Sequence, residues 1–246
     1  MDVTKRLLEL DPTLTRHNEG FWQEPFDPEK KGSYSSFNDA GIEVETGEFL
    51  YGLCRLMKPE HVLETGTHVG VSTVYMASAL QENRKGDIDT VEFLEPLYRQ
   101  ALDRFKKMGF FKSTPKDAGI DEIQKINAEC VVHPFLMDAA QFFPLYEKQY
   151  DIILLDTEPQ TRFAELVKFF PLLKPGGMVF IHDLHQHMHQ NQPANPDHPN
   201  EPNWPYGMLP EAIKELVKTD QLRPMHFATP RGLTGFYKVH PNDYKF

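Results

Sequence analysis

Cysteine is nearly absent. The 246 residues hold two, Cys54 and Cys130, both among apolar neighbours and with no C-x-x-C pair. That argues against a disulfide framework and suggests two buried free thiols in a reducing compartment. Positive charge is also scarce: 26 Lys+Arg stand against 36 Asp+Glu, a net charge of −10. Affinity for a phosphate backbone rests on clustered cations, so nucleic acid is set aside as a partner. No stretch approaches the ~18 uninterrupted apolar residues of a membrane span, and MDVTKRLLEL lacks the apolar run of a secretory signal. The expectation is a cytoplasmic protein that meets no membrane.

What is present is enough for one well-filled core, with apolar residues at 40% and aromatics at 12%. Residues 1–45 read as an N-terminal wrapping segment, with a short opening helix at Leu7, Leu8 and Leu10. Residues 46–246 read as a single domain. Phe49, Leu50, Leu53 and Leu56 recur at helical spacing, with Thr46 as the expected cap and Pro59 as the stop. Strands are expected at 61–64, 90–93, 131–137, 150–156 and 178–181, with the last preceded by a Gly176-Gly177 turn. Helices are expected between them; one carries Leu94, Leu97, Tyr98, Ala101, Phe105 and Met108 on one face. A Pro-, Asn- and His-rich loop follows at 185–206. Then come a short helix at 209–217 and a hairpin turning at Pro230-Arg231-Gly232.

Alternating strands and helices predict an α/β class: a doubly wound, mostly parallel sheet of seven strands with an antiparallel terminal hairpin. Ligands of such sheets bind at the carboxyl ends of the strands. Those ends carry Glu64, Glu92, Asp138, Asp156 and Asp183.

Between the first of these strands and its helix runs Glu64-Thr65-Gly66-Thr67-His68-Val69-Gly70-Val71-Ser72. Glycine here permits unusual φ and lets a ligand approach the backbone, while the helix start offers free N–H groups. The spacing is G-x-x-x-G rather than the G-x-G-x-x-G suited to a dinucleotide pyrophosphate, which disfavours a nicotinamide oxidoreductase. A cofactor with a carboxylate and an ammonium fits better. Glu92 at the end of the second strand suits both hydroxyls of a ribose, and Asp138 an exocyclic adenine amine. Singly, each could be an ordinary turn glycine or a solvated acid.

The ordered set VLETGTHVGVS, TVEFLEP, FLMDAA, YDIILLD and LLKPGGMVFIHD resembles the class I S-adenosylmethionine-dependent methyltransferases. The likeness is to the catechol and caffeoyl-CoA O-methyltransferase branch and to the macrocin-type O-methyltransferases, a Rossmann-like methyltransferase fold. The resemblance implies methyl transfer from S-adenosylmethionine to a small-molecule acceptor, most simply a hydroxyl. It also implies a cofactor site of Glu64, Gly66, Thr67, Gly70, Ser72, Glu92, Asp138 and Asp156. A homodimer is a family expectation.

In the metal-dependent members of that family an Asp ends the fourth strand, and an Asp-Asn or Asp-Asp pair ends the fifth. Asp156 and Asp183 match, and would hold a divalent cation, Mg or Mn. Three positions depart: Leu184 replaces the Asn, Pro159 stands where the catechol branch carries a lysine, and His182 replaces an Asp. His182, Asp183 and His185 are the candidate catalytic residues, with one of the two histidines as base or ligand. His187 and His189 lie further into the loop, and Trp22, Phe26, Trp204 and Tyr206 are candidate acceptor-lining aromatics. Two alternatives stay open: a metal-independent N-, S- or C-methyltransferase, and a protein that binds S-adenosylmethionine without catalysis.

Overall fold

The structure, a computed structural model, describes residues 2–18, 25–30, 34–38, 41–110, 131–142, 148–158, 161–183, 209–227 and 229–243. Cys130, Pro159, Leu184, His185, His187, His189, Trp22, Trp204, Tyr206 and the 185–206 loop lie outside these residues. The chain divides into two units, Met1–Leu145 and Tyr146–Phe246.

In the first unit, α1 (Val3–Leu10) precedes a small antiparallel pair, β1 (Arg16–Asn18) and β2 (Ser35–Phe37). Then follow α2 (Val44–Met57), β3 (His61–Thr65), α3 (Val71–Asn83), β4 (Asp87–Glu92), α4 (Glu95–Met108) and β5 (Val132–Leu136). Strands β5, β4 and β3 are neighbours in that order and parallel, with Glu64 opposite Thr90 and Glu92 opposite Leu136. Helix α3 is buried on every side from Val71 to Leu80, with Ser72, Thr73 and Ser78 among its apolar residues. Tyr75 on α3 is fully buried, and its hydroxyl meets Thr4 Oγ1 of α1 at 2.7 Å.

Helix α2 starts two residues before the expected point. Thr46 is not its cap; its hydroxyl instead donates to the Glu43 carboxylate at 3.0 Å, and Glu43 makes no side-chain cap. Leu56 and Leu94, assigned by period to buried faces, are exposed. The first lies near the end of its helix and the second just before α4, where few neighbours cover a side chain.

In the second unit come β6 (Tyr150–Leu155), α5 (Arg162–Phe169), a 3-10 turn (Phe170–Leu172), β7 (Leu173–His182), α6 (Glu211–Lys218), β8 (Leu222–Phe227) and β9 (Leu233–Lys238). β6 and β7 are parallel; β9 pairs antiparallel with β7 and with β8, giving the terminal hairpin. The expected Gly176-Gly177 turn lies inside β7, which already starts at Leu173. The register of β6 with β7 shifts between Tyr150 and Ile152, absorbing the extra residues as an irregularity in the ladder. The strand order, β5-β4-β3 and then β6-β7-β9-β8, is the mostly parallel seven-stranded pattern with an antiparallel end. Among the described residues no helix is long and apolar enough to cross a membrane.

Candidate active site

In the first unit, β3 ends in a bend whose backbone enters the left-handed region three times within five residues: Gly66 (φ +83°), His68 (+50°) and Gly70 (+82°). A Cβ on Gly70 would lie 2.6 Å from the Phe105 ring, so glycine is required there by both conformation and space. The bend is sewn to the neighbouring strand. Gly66 and Thr67 both donate their N–H to Val91 O, at 2.9 and 3.1 Å, and Gly70 N donates to Thr67 O at 2.8 Å. Gly70 occupies the N-cap of α3 and has no side chain to cap it, which leaves the first N–H groups of α3 to other acceptors.

Glu92 closes β4 and reaches into this bend. Its Oε2 accepts from His68 N at 2.7 Å, and its Oε1 accepts from Leu94 N at 2.7 Å. Glu64 is not a solvated strand-end acid. It is fully buried, and its carboxylate accepts from the Thr73 and Thr90 hydroxyls, the latter at 2.6 Å. Thr90 Oγ1 in turn lies 2.5 Å from Thr67 Oγ1. A buried hydrogen-bonded chain therefore runs from the bend through β4 to α3, and Glu64 is its hub. Ser72 is buried on the first turn of α3. Asp138 is exposed; its Oδ1 accepts from Ala140 N at 2.7 Å, which makes it the anchor of a turn after β5.

Arg104 and Asp11 are absent from the residues that the sequence pattern singles out. Arg104 is buried on α4, donates to Val69 O at 2.6 Å and pairs with Asp11 Oδ2 at 3.2 Å. It holds the bend from outside. The readable signal is an arginine three residues from Ala101 and four from Met108, on the face that the period assigns to the core. Phe26 carries the Arg16 guanidinium over its ring, 3.9 Å from the centroid.

The second unit holds the other candidates. Asp156 follows β6, His182 ends β7, and Asp183 follows at φ +58°. His182 is fully buried, with Nδ1 at 3.2 Å from both oxygens of Asp156 and 3.4 Å from Asp183 Oδ1. Two arginines enter the same cluster. Arg162 Nη2 lies 3.2 Å from Asp156 Oδ1 and 3.5 Å from Asp183 Oδ2. Arg231 grips Asp183 with two nitrogens, Nε at 2.7 Å from Oδ1 and Nη2 at 2.9 Å from Oδ2. Burial pushes the Asp156 carboxyl upward, but its contact with His182 and the charges of Arg162 and Arg231 outweigh it and hold the group below its ordinary range.

Asp156, His182 and Asp183 offer donor atoms that lie within 4.8 Å of one another, as do Asp87, Asp89 and His133 in the first unit. In the first trio every acid already faces a guanidinium.

A methyltransferase-domain family model matches residues 63–184, from β3 through the end of β7. Just under half of the chain thus fits a methyltransferase domain. The chain is 27% identical over 141 residues to a Mycobacterium sp. (strain JLS) protein named as an O-methyltransferase, covering 57% of this chain and 56% of that one. It is 23% identical over 151 residues to the tapetum-specific methyltransferase 1 of Arabidopsis thaliana, covering 59% and 56%. The chain thus spans about half the length of the curated relatives it matches. Among solved structures, the methyltransferase fold is shared with the O-methyltransferase of tomaymycin synthesis from Streptomyces achromogenes, crystallised with S-adenosylmethionine. The TM-score is 0.60 at 17% identity over 82% of each chain.

Proposed function

We propose that this chain transfers the methyl group of S-adenosylmethionine to a hydroxyl of a small-molecule acceptor. The observation that carries the reading is the Glu92 carboxylate seated in the Gly66–Gly70 bend. Each of its oxygens accepts one backbone N–H and keeps a further lone pair, so two acceptors sit side by side for the two vicinal hydroxyls of a ribose. The positive φ values turn the bend's backbone toward α3, whose N-terminal N–H groups and Ser72 suit the carboxylate of a methionine moiety. Thr67 and Glu64 stiffen that cradle through Thr90, and Asp138 closes the turn nearest the adenine end. Relatives named as O-methyltransferases support the oxygen nucleophile.

The sulfonium supplies an activated methyl carbon; the chain's task is alignment and removal of one proton. The acceptor oxygen attacks the methyl carbon, the C–S bond breaks toward sulfur, and S-adenosylhomocysteine leaves. Because Nδ1 of His182 faces carboxylates, its proton sits on Nδ1 and the lone pair on Nε2. His182 held by Asp156 is thus the proposed base.

Calorimetry with S-adenosylhomocysteine tests the reading. The wild-type chain is expected to bind it. Glu92→Ala removes two hydrogen bonds to a charged group, worth about 1.5 kcal/mol each, so affinity should fall on the order of 100-fold. Absence of heat with the wild-type chain rejects the proposal.

A further inference from the structure

We infer that Arg162 and Arg231 stand in place of the divalent cation that the Asp156–Asp183 pair would otherwise hold, so that methyl transfer here needs no metal. The inference rests on the reading of the domain as a methyltransferase and concerns the charge at its acidic strand ends.

The donor set does not fit a cation. Arg231 Nη2 donates to Asp183 Oδ2 at 2.9 Å, and its Nε lies 2.7 Å from Oδ1 as a charge contact without hydrogen-bond geometry. One nitrogen of Arg162 lies between Asp156 and Asp183, at 3.2 and 3.5 Å, which is the bridging place of a shared ion. Arg162 is not a side chain that can swing aside. It is 3% exposed, its Nε donates to Thr157 O at 2.7 Å, and its Nη1 donates to the His182 carbonyl. Arginine does not deprotonate in proteins, so neither guanidinium can yield by losing charge. Two carboxylates and two guanidiniums sum to zero with His182 neutral. A dication would leave this buried cluster with two uncompensated charges. Magnesium also demands near-octahedral oxygen ligation with several waters, which two engaged carboxylates and a histidine do not supply.

The residues' own chemistry then assigns roles. Arg231 is a positioning residue: it fixes Asp183, which lies 3.4 Å from His182 Nδ1. Arg162 bridges the acids and pins the carbonyl of His182, and so holds the imidazole from both its backbone and its partner.

The test is a titration of Mn2+ alone, by calorimetry, into the full chain and into Arg231→Ala, Arg231→Lys, Asp183→Asn and the Asp183→Asn/Arg231→Ala pair. The Asp87, Asp89 and His133 donors are common to every variant, so differences between variants are read. Wild type, Arg231→Lys and Asp183→Asn should give the same Mn2+ isotherm. Arg231→Ala should gain a site at least tenfold tighter, and that gain should vanish in the double variant. A wild-type Mn2+ site that Asp183→Asn removes would overturn the inference, whether or not Arg231→Ala folds. A parallel titration with S-adenosylhomocysteine in excess chelator separates the two claims. Loss of that heat in the wild type sinks the methyltransferase reading, while the Mn2+ comparison still decides the role of the arginines.

Discussion

At the scale of single residues, the clearest consequence concerns Arg104. Its guanidinium spans two acceptors that lie far apart in the chain, Val69 O in the glycine bend and Asp11 Oδ2 after α1. Removing one partner of a buried ion pair leaves the other charge uncompensated, which costs roughly 3–5 kcal/mol. Arg104→Ala should therefore lose about that much in urea unfolding, and Arg104→Lys should not restore it, because an ammonium cannot fork to both acceptors. A loss under about 1 kcal/mol would contradict the assigned role. Cys54 shows the opposite kind of residue. It is fully buried, and burial alone pushes its thiol up to about 12, so it stays protonated and inert, as the composition suggests.

At the scale of elements, α2 against α3 gives a test in which two principles oppose each other. Gly47 and Gly52 both sit inside α2, and replacing a helical glycine by alanine gains about 1 kcal/mol from propensity alone. A Cβ at position 47 would lie 2.5 Å from the Tyr75 ring, and that ring cannot retreat because it is fully buried and its hydroxyl meets Thr4. Overpacking costs typically 1–3 kcal/mol, so Gly47→Ala should be destabilising by about 1 kcal/mol net. A Cβ at position 52 would meet nothing within 4 Å, and Gly52→Ala should stabilise by up to about 1 kcal/mol. Thermal melts of the two variants, on opposite sides of wild type, check the packing. The elements themselves are legible because period and punctuation are local. The 3.6 period of α4, the apolar run of β6 and the turn at Gly232 each appear where expected. The departures fall where another partner overrides a local preference. Thr46 gives its hydroxyl to Glu43 instead of capping α2, and Gly176-Gly177 is drawn into the ladder of β7.

At the scale of the whole molecule, acid is the condition to which this chain should respond most. Burial would raise the Asp11 carboxyl, but the Thr13 hydroxyl and the Arg104 charge more than offset it and hold the group below its ordinary range. Asp156 is held low in the same way. A carboxyl with a depressed folded value binds its proton more readily in the unfolded chain. The stability it contributes is fully present above the unfolded value, near about 3.9, and is lost as pH falls through the folded one. The urea midpoint should accordingly drop as pH falls from neutrality to about 3. Asp11→Asn should flatten part of that drop, while superimposable pH profiles for wild type and variant would deny the linkage.

The amino-acid order alone determined the succession of strands and helices, the glycine bend and the acids at the strand ends. These follow from propensity, period and steric freedom, which act over a few residues. Tertiary structure alone decided what those acids face. Arg231 meets Asp183 from 48 residues away, and Arg104 meets Asp11 from 93. No spacing rule links such pairs, because they are chosen by which side chains the folded sheet brings together with their charges desolvated. The same reason sets Arg162 and Arg231 beside the two carboxylates, Asp156 and Asp183, that close their strands.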